Sequence, residues 1–230
     1  MKLLVYAIVG SAGLPDAPGG ASRWRAVTVG RLAAIVDRRR SAPKPTPRNV
    51  RQYHRTVAAI ADTVPAILPA RFGTLVGEEE LSFILRTRAV SLRAALKRLR
   101  GRVQMTIRIV NRGSEVHAAM NVVRPPDRSP AAETRRAARA EGPGAQYLRS
   151  RVAREDPETR RLLAPLRHAV GRWVHQEEVT LRAGITSVYH LVSRRSAAAY
   201  SRSLQAAARR AGVELVLSGP FPPYAFAATM

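Results

Sequence analysis

Five histidines and sixteen acids are the residues that could do acid–base or metal chemistry in this 230-residue chain. Their spacing argues against both. A zinc-protease helix needs two His four apart with a Glu between them. His175-Gln176-Glu177-Glu178 opens that way, but the second His is missing. His54, His117, His168 and His190 are scattered without ligand spacing. Glu78-Glu79-Glu80 is a dense acid run, yet contiguous residues point around a helix rather than converging on one ion. There is no Cys, which excludes disulfides, thiolate metal sites and cysteine nucleophiles. The dinucleotide and P-loop glycine patterns and the Gly-x-Ser-x-Gly elbow are absent. No carboxylate is framed by apolar residues in a way that would raise its pKa for acid catalysis. The reading is of a protein that is not an enzyme and has no metal or cofactor.

What remains chemically distinctive is charge. Lys and Arg total 39 against 16 acids, for a net charge of +23. Only Lys2, Lys44 and Lys97 are Lys. Arg suits bidentate contact with phosphate and carboxylate. The coding bias of a GC-rich genome explains the Arg-to-Lys ratio better than a ligand does, but not the shortage of acids. Nonspecific attraction to polyanions at low salt is expected either way. From Leu81 to Ser114 there are nine bases and no acid, ending with Arg108 and Arg112. A solvated helix face is the plain reading of this stripe. An acidic partner or a nucleic acid is the functional one.

The elements follow from periodicity. Leu3 to Val9 is a nearly continuous apolar run, the mark of a strand covered on both faces. Trp24–Val29 and Leu32–Val36 flank Gly30-Arg31 and predict a hairpin. Thr46-Pro47 starts a helix with Val50, Val57, Ala61 and Val64 inward and His54 on the same face as a core histidine. Gly77 to Gly101 reads as one helix with Leu81, Leu85, Ala89, Leu92, Leu96 and Leu99 on one face. Val103 to Ile109 alternates as a half-buried strand. Helices are expected at about 131–140, 147–154 and 157–173. A strand is expected near Val174–Leu181 and another over Ile185–Val192. A helix over Ser196–Ala211 and a last strand over Val213–Leu217 follow. No apolar run approaches a membrane span, and the expected setting is soluble and cytoplasmic.

Two stretches stand out. Leu68-Pro69-Ala70-Arg71-Phe72-Gly73-Thr74 is one. Gly219-Pro220-Phe221-Pro222-Pro223-Tyr224-Ala225-Phe226 is the other, and its three prolines favour an extended polyproline-like path. The plain reading packs this tail onto its own domain, above all through Pro220 and Phe221. The sharper one makes it a docking strip.

These two stretches resemble the gas vesicle GvpL/GvpF family. Supporting matches run along the chain: Leu3–Val9, His54, Gly144-Ala145-Gln146-Tyr147-Leu148, and Tyr189–Arg194. Two features depart from the family. Gly101-Arg102-Val103-Gln104-Met105 stands where members carry Gly-x-x-Glu-Trp, and Phe221 stands where Trp is commoner.

The alternation of strands and helices makes the class α+β, and the resemblance implies two domains, at least one a modified ferredoxin-like sandwich, with the Pro/aromatic tail. The units are placed at 1–112, 113–143 (a polar connection with a helix) and 144–230. By resemblance the protein is an accessory or minor structural component of the gas vesicle. It would bind the hydrophobic shell protein GvpA, act with other gas vesicle accessory proteins and support assembly. The implied interface, or the frame that shapes it, is Arg71, Phe72, Gly73, Pro220, Pro222, Pro223, Tyr224 and Phe226. The alternative is a nucleic-acid-binding module using the basic stripe 81–114.

Overall fold

The computed structural model describes residues 1–12, 14, 24–110, 157–182 and 185–227. Its first sheet is built on β1 (Lys2–Gly10), the apolar run. β1 pairs antiparallel with β3 (Leu32–Arg39) on one side. On the other side it pairs with β4 (Ile67–Pro69) and β5 (Leu75–Val76). β2 (Arg25–Val29) forms the expected hairpin with β3 through Gly30, at φ 59. The run is continuous because both faces are covered. Leu4, Tyr6, Val9 and Ile35 face α1 (Pro47–Thr63). Leu3, Val5, Ala34 and Val36 face α2 (Glu78–Thr87) and α3 (Ala89–Leu99).

α1 begins as the sequence predicts, with the Asn49 N–H donating to Thr46 Oγ1 at 3.3 Å and Pro47 in the first turn. Its inward face is Tyr53, Val57, Ile60 and Ala61. His54 is exposed and is not a core histidine. One residue of helix turns a side chain by about 100°, enough to carry His54 off the buried stripe. The helix expected over 77–101 is divided at Arg88, whose ψ of 14° departs from helical geometry. Leu81 and Leu85 before that break and Leu92, Leu96 and Leu99 after it still bury together.

The second sheet has the order β7-β8-β6-β9, every pair antiparallel. Its strands are β6 (Arg102–Val110), β7 (Val174–Arg182), β8 (Ile185–Ser193) and β9 (Val216–Phe221). α4 (Pro157–Val170) and α5 (Ala197–Ala211) pack on one face. Val103, Met105, Ile107, Val188 and Val192 meet Leu163, Leu166, Tyr200 and Leu204 there. β6, grouped with residues 1–112 in the sequence reading, pairs with β8 and β9 in this second sheet. The helices expected at 131–140 and 147–154, and the 113–143 connection, lie outside the described residues.

The proline-rich end does not follow a polyproline path. Residues 216–221 form an edge strand on β6, and Tyr224–Ala227 closes one helical turn, α6. An edge strand needs no donor on its outer side, so Pro220 is tolerated there. The Gly219–Pro220 bond is cis. Gly219 sits at φ 125, and a Cβ on it would lie 2.8 Å from the Gln104 carbonyl oxygen. Leu191 of β8 and Phe226 of α6 share a cluster with Leu3, Leu85 and Leu99, so the apolar core runs from one sheet to the other.

Candidate functional site

The Arg71–Thr74 segment is a tight turn between β4 and β5. The Thr74 N–H and hydroxyl both donate to the Arg71 carbonyl, at 3.2 and 2.8 Å. Gly73 has φ 81, a conformation the turn needs and a side chain would resist. The turn faces an irregularity in β1, where the register with β3 shifts between Val5 and Ala7. Here the Val5 N–H donates to Thr74 O, and the Ala70 N–H donates to Tyr6 O. The Tyr53 hydroxyl plugs the corner, 2.9 Å from Ala70 O and 3.0 Å from Val5 O. Its ring meets Phe72 edge to face at 5.3 Å and Tyr6 at 5.1 Å. Burial pushes the Tyr53 phenol up, so it stays a donor. Phe72 is half-buried, and Arg71 is exposed. A cleft of about 450 Å³ opens beside Phe72, with Arg39, Arg40 and Lys44 on its rim.

The tail reaches the same place from the other sheet. The Tyr224 hydroxyl lies 2.9 Å from His54 Nδ1, with the two rings edge to face at 5.0 Å. Gln104, 5% exposed, accepts the Ala225 N–H at Oε1 over 2.8 Å. Arg98 donates to the Phe226 carbonyl at 3.2 Å. Phe226 is fully buried among first-sheet residues, and Tyr224 packs in the cluster of Tyr53 and Phe72. The tail therefore clasps the N-terminal half, contrary to the expectation that it lies on its own domain. Pro222 and Pro223 are buried, whereas Pro220 and Phe221 are exposed, the reverse of the stapling expected of them.

Of the residues singled out in the sequence, Phe72, Tyr224 and Phe226 are brought into the two clusters that flank the first sheet. Gly73 shapes the turn, and Arg71 and Pro220 stay on the surface. Sequence reasoning missed Tyr53, although its spacing from Val57 and Ile60 is helical. It also missed the role of Gln104, whose side chain holds the tail. A third group, Arg194, joins the halves: it pairs with Asp62 at 2.7 Å and donates to Ala61 O at 3.0 Å. Beside it the Gly101 N–H donates to Pro65 O, and the Arg194 N–H donates to Gly101 O.

A buried polar chain, also unforeseen, crosses the second sheet. The Tyr200 hydroxyl lies 2.7 Å from His190 Nδ1, and His190 Nε2 lies 2.7 Å from Glu177 Oε2. Arg167 grips Glu177 with Nε and a terminal nitrogen, the latter at 2.6 Å. With Glu177 ionised, His190 and Arg167 both donate to it. Burial alone would raise the Glu177 carboxyl, but hydrogen bonds from His190 and Arg167 overcome it and hold it at about 2. Tyr200 is pushed up by burial and by the Glu177 charge. The signal was the alternation of His190 with Val188 and Val192 on one strand face. Every member is satisfied by another, which is how a structural network looks. Among the described residues no group of three His, Asp or Glu could hold a metal ion. No helix among them is long and apolar enough to cross a membrane.

This two-sheet α+β arrangement is similar to that of solved gas vesicle proteins. The structure of GvpF from Anabaena sp. PCC7120 is similar with a TM-score of 0.68 at 13% identity, over 100% of this chain and 99% of that one. GvpF from Microcystis aeruginosa is similar with a TM-score of 0.70 at 14% identity, over 98% of each chain. No curated protein sequence matches the chain. The family model described as gas vesicle synthesis protein GvpL/GvpF matches residues 2–228. The chain belongs to that family and is a gas-vesicle-related protein. None of these matches points to nucleic acid.

Proposed function

We propose that this protein is a non-enzymatic accessory or minor structural component of the gas vesicle, one that binds the shell protein GvpA and supports its assembly alongside other accessory proteins. The physical need is plain. A subunit that builds a gas-tight wall exposes a broad apolar face, and such a face aggregates in water unless a partner covers it. The observation that carries the reading is the closure of two distant strips on neighbouring residues: Phe72 on Tyr53, and Tyr224 on His54. Each strip keeps a side chain outward, Arg71 from the first and Phe221 from the second. In this reading Phe72, Gly73, Pro222, Pro223, Tyr224 and Phe226 frame the interface, while Arg71, Pro220 and Phe221 touch the partner.

The strand order β7-β8-β6-β9 with α4 and α5 on one face supports reading the C-terminal half as a ferredoxin-like sandwich. The division between halves then falls at Gly101, just before β6. The setting is the gas vesicle and the cytoplasm around it.

The test is capture of purified GvpA by the full chain. Arg71→Ala combined with Phe221→Ala should weaken capture at least about tenfold, because truncating central contacts removes 1–2 kcal/mol or more, with the melting curve unchanged. Capture undiminished in a folded double variant would place the interface elsewhere.

A further inference from the structure

The basic stripe is the feature the family reading leaves unused. On α2 and α3 the buried leucines lie on one side, and Phe83, Thr87, Val90 and Ala94 lie on the other, all exposed. Phe83 is 61% exposed and Val90 75%. The spacings of four, three and four are those of one helical face. The strip spans the break at Arg88, where two bonds still bridge α2 and α3: the Arg88 N–H donates to Ile84 O, and the Leu92 N–H donates to Arg88 O. Arg86, Arg93 and Lys97 are exposed along one margin, and Arg86 and Lys97 form no ion pair among the described residues. Glu79, one turn before Phe83, marks the N-terminal end of the strip; from Leu81 to Val110 there is no acid.

We infer that this face is a docking surface for an acidic amphipathic helix of a partner protein. The two halves of the pattern select that occupant together. Apolar side chains at helical spacing are anchors for another helix, whereas the strip's single aromatic, Phe83, gives no series of rings on which successive nucleic-acid bases would stack. The one-sided basic margin demands acids on the partner. It also disfavours a second copy of this chain, whose matching face carries the same charge. The inference stands apart from the reading above, since neither Arg71 nor the tail takes part and its test contains no GvpA.

The experiment uses the full chain and a fluorescein-labelled 18-residue peptide with Leu at i, i+3, i+4 and i+7 and Glu along its flanks. Controls are a scrambled peptide of the same composition, random duplex DNA, and vesicles of phosphatidylcholine with phosphatidylserine. The facial peptide should bind, and the scrambled one should bind at least about tenfold more weakly. Phe83→Ala with Val90→Ala should lower affinity about tenfold or more. Arg86→Ala with Lys97→Ala should lower it and flatten its salt dependence. All four positions are exposed, and an unchanged melting curve confirms that each variant is folded. Equal binding of both peptides, or no loss in the Phe83/Val90 variant, would overturn the inference and leave only nonspecific charge. Loss of DNA or vesicle binding in that variant, or conversion of a dimer to a monomer in gel filtration, would overturn it in favour of those occupants.

Discussion

His54 and Tyr224 stand 170 positions apart in sequence and 2.9 Å apart in space, Nδ1 against the phenol oxygen. One side chain comes from the exposed flank of α1 and the other from the last helical turn, so their meeting closes the C-terminus over the first sheet. Burial pushes the Tyr224 phenol up and keeps it protonated. The phenol O–H is therefore available to donate to His54 Nδ1.

That pair sets the first expectation. Tyr224→Phe keeps the ring and deletes the hydrogen bond, and should cost about 0.5–1.5 kcal/mol. Tyr224→Ala also deletes the packing against the Tyr53 cluster and should cost roughly 2–4 kcal/mol. Urea unfolding of both variants measures the difference. Equal losses would mean the hydroxyl alone matters.

Phe226 is fully buried in the core that joins the two sheets. Phe226→Ala should lose about 3–5 kcal/mol, so removal of residues 219–230 should unfold the protein rather than spare it. Thermal melting of the point variant and limited proteolysis of the truncated chain check this.

Gly219→Ala should destabilise by roughly 1–3 kcal/mol, the cost of a side chain in a strained backbone region. Its φ is 125 and its added Cβ would strike the Gln104 carbonyl, while Gly30 at φ 59 has nothing within 4 Å. Gly30→Ala should therefore be the milder change, and paired denaturation curves would show it.

Glu177 makes stability depend on acid. Its carboxyl is held at about 2 in the fold, against an ordinary value of 4.5. A lowered carboxylate pKa contributes stability that is fully present above about pH 4.5 and is lost as pH falls toward 2. Glu177 is 27% exposed at its side chain, so solvent screening reduces the effect to on the order of 1–2 kcal/mol. Glu177→Gln should start less stable at neutral pH and show a flatter profile across that window, read from denaturation midpoints between pH 2 and 6.

How much of this was legible differs by residue. Leu3–Val9 announced a two-faced strand because its apolar run admits no solvent side. Thr46-Pro47 and Gly30 were readable because caps and turns are local. Tyr53 and His54 are neighbours with opposite fates, and the apolar stripe alone was too coarse to separate them by one residue. The break at Arg88 left the leucine spacing intact, so periodicity concealed it. The course of the tail was hidden for a different reason. Three prolines speak for an extended chain, but Gly219, the free edge of β6 and the amide acceptor of Gln104 are tertiary facts that no local pattern encodes. The same holds for Glu177, His190 and Tyr200, which lie on separate elements and meet only when the second sheet forms. The family resemblance was carried by the Arg71–Thr74 and Pro220–Phe226 stretches, and the match over residues 2–228 establishes it.

The most direct measurement of the central claim is light scattering of GvpA diluted from denaturant, with and without the intact protein and with no nucleotide or other small molecule present. The account predicts that the protein suppresses scattering at near-equimolar amounts, and that Arg71→Ala with Phe221→Ala does so far less well. Scattering unchanged by the wild-type protein, or suppressed only while a small molecule is consumed, would contradict it.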